Sequence, residues 1–360
     1  MIREPDGLEV VATAADAEGF ERPPLLVLDR VEAFFDAQGI GAGPIAWQRI
    51  GDGQSNITYL IEREDRQVVL RRGPRPPLPR STHDMLREAR VQQGLSQAGF
   101  AVPKILGVCD DEQVLGVPFY VMDYLDGEII IDAAPPALDT IEQRRATSEA
   151  LVDTLADMHS VDLERAGLAD FGRPDGYLER QIKTFSGLAG QVSERSLPLV
   201  AELGSWLEAN RPATQRNALV HGDYRLGNVM FQREDPARVL AVLDWEMATL
   251  GDPLADLGYL TATYSDPSTP GSVMEISTAT SQEGYLDRAQ IADRYAARTG
   301  LDVSDLPWYQ MLALWKSSVF LEAIYTRWTR GERPGDTFAP TLELEVPRLL
   351  EIANEKRAAL

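Results

Sequence analysis

Residues 218–253 read ALVHGDYRLGNVMFQREDPARVLAVLDWEMATLGDP. Two short apolar runs, 219–220 and 229–231, flank the polar string His221, Gly222, Asp223, Tyr224, Arg225, Leu226, Gly227, Asn228, and a third run, 239–243, delivers Asp244. Short apolar runs bounded by turn-forming residues read as strands. Three oxygen-bearing side chains, Asp223, Asn228 and Asp244, are therefore set on strand ends. Such a set offers one carboxylate to take a proton and hard oxygen ligands for magnesium.

Asp223 and Asn228 are five residues apart, the offset between the base and the metal-binding Asn of the protein-kinase catalytic loop. Asp244 follows a strand as the metal-binding Asp of D-F-G does. Taken alone, an H-x-D-x-x-x-x-N string is equally an ordinary loop, because His, Asp and Asn are common turn residues. The combination with Leu243, Asp244, Trp245, Glu246 and with Gly251, Asp252, Pro253, Leu254, Ala255, Asp256 is more specific. It resembles the aminoglycoside phosphotransferase and choline kinase-like superfamily, and most closely the kinase-like domain at the N-terminus of some acyl-CoA dehydrogenase family members.

The resemblance covers residues 45–330. It implies an α+β, bilobal protein kinase-like fold, with a five-stranded antiparallel N-lobe carrying one main helix and a mostly helical C-lobe. It also implies a kinase that moves the γ-phosphoryl of ATP, or GTP, to a hydroxyl of a small molecule. Asp223 would be the base, and Asn228 and Asp244 the magnesium ligands. Substrate choice is not carried by the family name.

The 360 residues are 44% hydrophobic and 25% charged, enough for two packed lobes. Against 56 acidic side chains stand 35 basic ones, a net charge of −21, which argues against a nucleic-acid partner or an anionic membrane. Solubility accounts for it most simply, although it also permits a preference for cationic ligands. One cysteine, Cys109, follows an apolar run, so no disulfide framework exists and a reducing cytoplasm is expected, with the thiol as a small core residue. The N-terminus lacks a basic segment followed by an apolar stretch, so it does not read as a secretory signal, and no run reaches the length of a membrane span.

Residues 1–24 lack a sustained period and read as a flexible arm. Residues 25–124 are expected to form the nucleotide-binding N-lobe, and 125–360 the helical C-lobe with the catalytic loop and substrate pocket. A first helix spans 25–38 and closes at Gly39. Strands at 45–50, 56–63 and 67–72 make a meander. Between the first two lies Gly51, Asp52, Gly53, Gln54, Ser55, which resembles the nucleotide-covering loop of kinases; in isolation a glycine hairpin turn explains it equally well.

Arg71 sits where the family places a phosphate-pairing Lys, and its planar fork differs from a Lys point charge. Arg72 is the alternative, since strand alternation allows only one of the pair to face the nucleotide. Ser81 or Thr82 caps a helix running to about Ala98. On it, Glu88 matches the glutamate that pairs the strand cation, unless it is simply solvated. A fourth strand opens at 105–108 and a fifth spans 117–124, where Met122, Asp123 and Leu125 resemble the hinge whose backbone receives adenine.

Helices follow at 138–159, 178–188, 197–209, from 253, and at 282–299, 306–328 and 342–358. His159 is read as structural. Asp256 either accepts hydrogen bonds from the loop around His221 or is a helix N-terminal acid favouring the macrodipole. Arg225, two residues after Asp223, either stabilises the transferring phosphoryl or pairs outward with Glu246.

Overall fold

A computed structural model describes residues 9–20, 22–51, 56–76, 83–267, 272–275 and 277–358. They belong to two compact units, Met1–Asp126 and Gly127–Leu360.

In the first unit, β1 (Val10–Val11) leads through the four-residue helix α1 (Ala14–Ala17), capped by a reciprocal Thr13–Asp16 box, to β2 (Leu26–Val27), which pairs with β1 in parallel. The described part of the stretch expected as a loose arm is therefore tied down. Leu25 and Leu26 amides donate to the Glu9 carbonyl at 2.6 and 3.1 Å, and Arg49 pairs with the Glu9 carboxylate at 2.6 Å. Two-residue strands carry no period, so the sequence pattern is silent about them. Because Leu26 and Val27 are in β2, the next helix, α2 (Leu28–Gln38), begins three residues later than expected and ends at Gly39 with φ 66°. Val31 and Phe35 form its buried face.

β3 (Ala46–Ile50), β4 (Ile57–Arg63), β5 (Arg66–Arg72), β6 (Ile105–Cys109) and β7 (Phe119–Asp123) make the expected five-stranded antiparallel sheet, in the order β3-β4-β5-β7-β6. Its alternate residues Tyr59, Ile61, Val68 and Leu70 pack with Phe35, Phe119 and Cys109 in one core. The main helix α3 (Met85–Gln97) packs against β6 and β7, and the short α4 (Glu112–Leu115) precedes β7. Asp84 caps α3 by accepting from the Arg87 amide at 3.0 Å. Ser81, Thr82 and Ser55 lie outside the described residues.

The second unit opens with β8 (Glu128–Ile129) and the helices α5 (Ile141–Met158), α6 (Tyr177–Val192) and α7 (Pro198–Ala209). Then come β9 (Ala218–Val220), β10 (Val229–Gln232), β11 (Asp235–Val242) and β12 (Thr249–Gly251), followed by α8 (Leu254–Thr263), α9 (Arg288–Thr299), α10 (Leu306–Thr329) and α11 (Leu342–Ala358). α10 is the central helix, packed against α6, α7, α8 and α11. Its Trp308, Tyr309, Leu312 and Trp315 are buried, while Phe320 on the same helix is exposed. No described helix is long and apolar enough to cross a membrane.

Candidate active site

Two small sheets in the second unit set the geometry of the 221–228 loop. β9 is buried throughout and pairs antiparallel with β12, Val220 opposite Thr249, while β10 pairs with β11, Val229 opposite Val242. The loop is thereby held at both ends. Leu243, just past β11, donates its N–H to the Asn228 carbonyl at 2.8 Å and accepts at its own carbonyl from His221 Nε2 at 2.9 Å. His221 Nδ1 accepts the Asp223 N–H at 3.2 Å, so the ring carries its proton on Nε2. With both backbone groups of Leu243 gripped, Asp244 starts from a fixed point of the chain. Asp244 has φ 65°, a left-handed conformation that a short polar side chain tolerates better than most.

Trp245 fastens the same corner from beneath, its ring 4.7 Å from that of His221 and its Nε1–H on the Val242 carbonyl at 2.9 Å. Gly222 is required here. Its φ is 87°, and a Cβ would stand 2.9 Å from the Met247 carbonyl oxygen.

The structure brings Asp223, Arg225 and Asn228 together. Asn228 Nδ2 donates to both the backbone carbonyl and Oδ2 of Asp223, each at 2.8 Å. Its amide oxygen remains as the atom suited to a hard cation. Arg225 Nε lies 3.5 Å from Asp223 Oδ2, so its ion pair is with the base candidate and not with Glu246. Tyr259 lines the same cavity as Asp223, and burial followed by the Asp223 charge pushes its pKa well above the usual phenol range.

Asp256 is 1% exposed and takes the first of its two readings. Its Oδ2 accepts the His221 N–H at 2.7 Å and its Oδ1 the Gly222 N–H at 2.9 Å. His159, buried at the end of α5, adds Nε2 on Oδ2 at 3.2 Å and is itself held by the Tyr295 hydroxyl at 2.7 Å. Burial alone would raise the Asp256 pKa, but the His159 hydrogen bond and the backbone donors outweigh it and hold the carboxyl below its ordinary value.

Asp223 opens onto a cavity of about 300 Å³ lined also by Arg225, Glu246, Tyr259, Phe185 and Lys316. A larger groove, about 920 Å³, runs along α6 and α7 and contains none of the residues singled out above. Tyr259 and Lys316 were not visible as site residues in the sequence. Tyr259 stands three residues after Asp256 on α8, a spacing that shares a helix face, and Lys316 is a charge inside an apolar, aromatic helix. Either signal marks a residue worth placing.

In the first unit, Arg71 and Arg72 separate as strand alternation requires. Arg71 Nε lies 2.9 Å from Glu88 Oε1, and Glu88 is 1% exposed, not solvated. Tyr120 donates its hydroxyl to the same carboxylate oxygen at 2.9 Å, and Gln92 Nε2 donates to that hydroxyl at 3.0 Å. Arg72 is fully buried and donates to the carbonyls of Leu25, Gly73 and Leu115; burial lowers its pKa to about 10. It is a structural arginine. Met122 and Asp123 end β7, where the Asp123 amide already donates to the Lys104 carbonyl at 2.9 Å. Leu125 lies two residues beyond the strand.

A model described as the phosphotransferase enzyme family matches residues 46–295. Acyl-CoA dehydrogenase family member 10 of Mus musculus is 35% identical over 304 residues, covering 82% of this chain and 28% of its own length. The chain thus spans less than a third of that relative. A solved structure of a candidate aminoglycoside phosphotransferase from Ralstonia eutropha JMP134 superposes with a TM-score of 0.79 at 30% identity, covering 91% of this chain and 97% of the other. Spectinomycin phosphotransferase, solved with ADP and spectinomycin, gives a TM-score of 0.57 at 12% identity, over 91% and 98% of the two chains. At that identity the likeness shows the kinase-like α+β fold alone.

Proposed function

Since the chain belongs to the phosphotransferase enzyme family, we propose that it is a kinase transferring the γ-phosphoryl of ATP, or GTP, to a hydroxyl of a small molecule. The observation that carries this reading is the Asp223 carboxylate, fixed by Asn228 and Arg225 at the wall of a cavity large enough for a small acceptor. Asp223 takes the hydroxyl proton as the oxygen attacks phosphorus. Asn228 through its amide oxygen and Asp244 through its carboxylate would hold magnesium. That ion, when bound, neutralises charge on the nucleotide phosphates.

The donor set suits the metal. Among the described residues no three His, Cys, Asp or Glu side chains gather into a metal cluster, but magnesium is commonly held by one or two carboxylates, with phosphate and water oxygens completing its shell. In the first unit Arg71, aligned by Glu88, would pair with nucleotide phosphates, and Ser55, Met122, Asp123 and Leu125 would contact the nucleotide. With the Asp123 amide engaged by Lys104, the Leu125 backbone is the better candidate for adenine. Arg71 in place of Lys motivates a second reading, a non-catalytic nucleotide-binding module. The intact set Asp223, Asn228 and Asp244 speaks against it. ADP in the spectinomycin phosphotransferase structure supports a nucleotide as donor, and the lone buried Cys109 suits a reducing cytoplasm.

Calorimetry tests the metal assignment. ATP should bind about tenfold or more tightly with magnesium than without it, and Asp244→Ala should remove that difference. Equal affinity in both conditions would sink it. Arg225→Ala tests the phosphoryl contact: kcat should fall by about 10²- to 10³-fold with little change in the nucleotide KM, because the cation acts on charge that develops during transfer. A normal kcat would leave Arg225 as only a structural partner of Asp223.

A further inference from the structure

The cavity at Asp223 contains a second cation besides Arg225. Lys316, on α10, is half-buried, donates Nζ to Gln181 Oε1 at 2.6 Å and lies 4.8 Å above the Phe185 ring. Both partners are uncharged. No carboxylate of the described residues lies within salt-bridge distance of this ammonium, and the acid whose charge acts on it, Asp256, is already committed to His221, Gly222 and His159. Tyr177, Tyr309, Leu312 and Phe320 make much of the remaining wall.

Removing an ammonium from water without a counter-anion is costly, and a ring face with an amide oxygen recovers only part of that cost. Burial lowers the Lys316 pKa to about 8, which still leaves the ammonium as the major form at neutral pH. A neutral side chain would pack in the same place at less cost. The charge is compensated if the ligand brings the missing anion.

We propose that Lys316 forms an anion-recognising subsite of the acceptor pocket, so that the alcohol presented to Asp223 carries a second group with anionic oxygens, a carboxylate or a phosphate ester. The hydroxyl half of this statement rests on the kinase reading; the anion subsite does not. At the subsite itself, an amine in place of the anion would meet the like charge of Lys316.

Four probes differing in one group decide it, with binding measured by calorimetry on the full chain: meta-hydroxymethylbenzoate, meta-hydroxymethylphenyl phosphate, meta-hydroxymethylbenzamide and meta-hydroxymethylbenzylamine. At least one anion should bind about tenfold or more tightly than the amide, with the amine weakest. The tighter of the two anions identifies the natural class. Lys316→Met should bring both anions to the level of the amide, whereas Lys316→Arg, which keeps the charge, should retain the preference. Equal affinity for anions and amide, no binding by either anion, or a preference that survives Lys316→Met overturns the proposal. Transfer from ATP is scored separately. Tight anion binding without phosphorylation of any probe would remove the kinase reading and leave the subsite; phosphorylation of the amide as efficient as that of the better-bound anion would do the reverse.

Discussion

Asp223→Asn is expected to lower kcat by about 10²- to 10⁴-fold, the usual range for loss of a positioned general base. The folded state should barely notice. The Asp223 side chain is about a quarter exposed, and an asparagine oxygen at the same position can still accept from Asn228. Only the 3.5 Å pairing with Arg225 loses its charge, and a partly exposed pair of that length contributes at most about 1 kcal/mol. Turnover under saturating ATP and acceptor, measured beside a thermal melt, separates the two effects. Unaltered kcat would take Asp223 out of the mechanism, and a large drop in Tm would mean that the carboxylate is structural.

The parts of this site that the sequence displays are those joined by short chain segments. His221 to Asn228 form one loop between two strands, so their spacing alone limits how Asp223 and Asn228 can meet, and Asp244 follows within one hairpin. The strand and main-helix pattern of the first unit is legible for the same reason, since alternation and the 3.6 period are local. What the sequence leaves open depends on packing at long range. Whether Arg71 or Arg72 faces Glu88 follows from sheet register, and Arg72 is buried because Leu25, Gly73 and Leu115 converge on it. His159 carries no motif of its own and reaches Asp256 across 97 positions. β8 and β12 are two and three residues long, too short to show a period. α9 begins at Arg288, six residues later than the apolar pattern suggests, because the Asp287–Gln290 capping box starts the helix there. Tyr259 and Lys316 enter the cavity from α8 and α10, and no spacing relative to Asp223 announces them.

The largest effect on stability is expected at Asp256. Its two oxygens accept the His221 and Gly222 amides at 2.7 and 2.9 Å while His159 donates at 3.2 Å, all in a buried setting. Asp256→Ala leaves these three buried donors without a partner and should destabilise the protein by about 3–5 kcal/mol, at about 1–3 kcal/mol for each donor left unsatisfied. Asp256→Asn keeps the shape and one acceptor but turns an NH₂ group toward an N–H donor, and should cost about 1–3 kcal/mol. The two variants therefore rank by bonds lost, which a role confined to the helix dipole would not produce, since that contributes only about 0.3–1 kcal/mol. The pH dependence has a defined sign. The Asp256 pKa is lowered in the folded state, so its contribution is fully present above the unfolded value of about 3.9 and is lost as pH falls through the folded value. In urea titrations the gap between wild type and Asp256→Asn should hold steady from pH 7 down to about 5 and narrow only below about 4. Because the same bonds hold His221 and Gly222, kcat should fall with stability even though both Asp256 oxygens are taken by protein donors. A variant that loses stability but keeps full kcat would show that the 221–228 loop is positioned by Leu243 and Trp245 without help from α8.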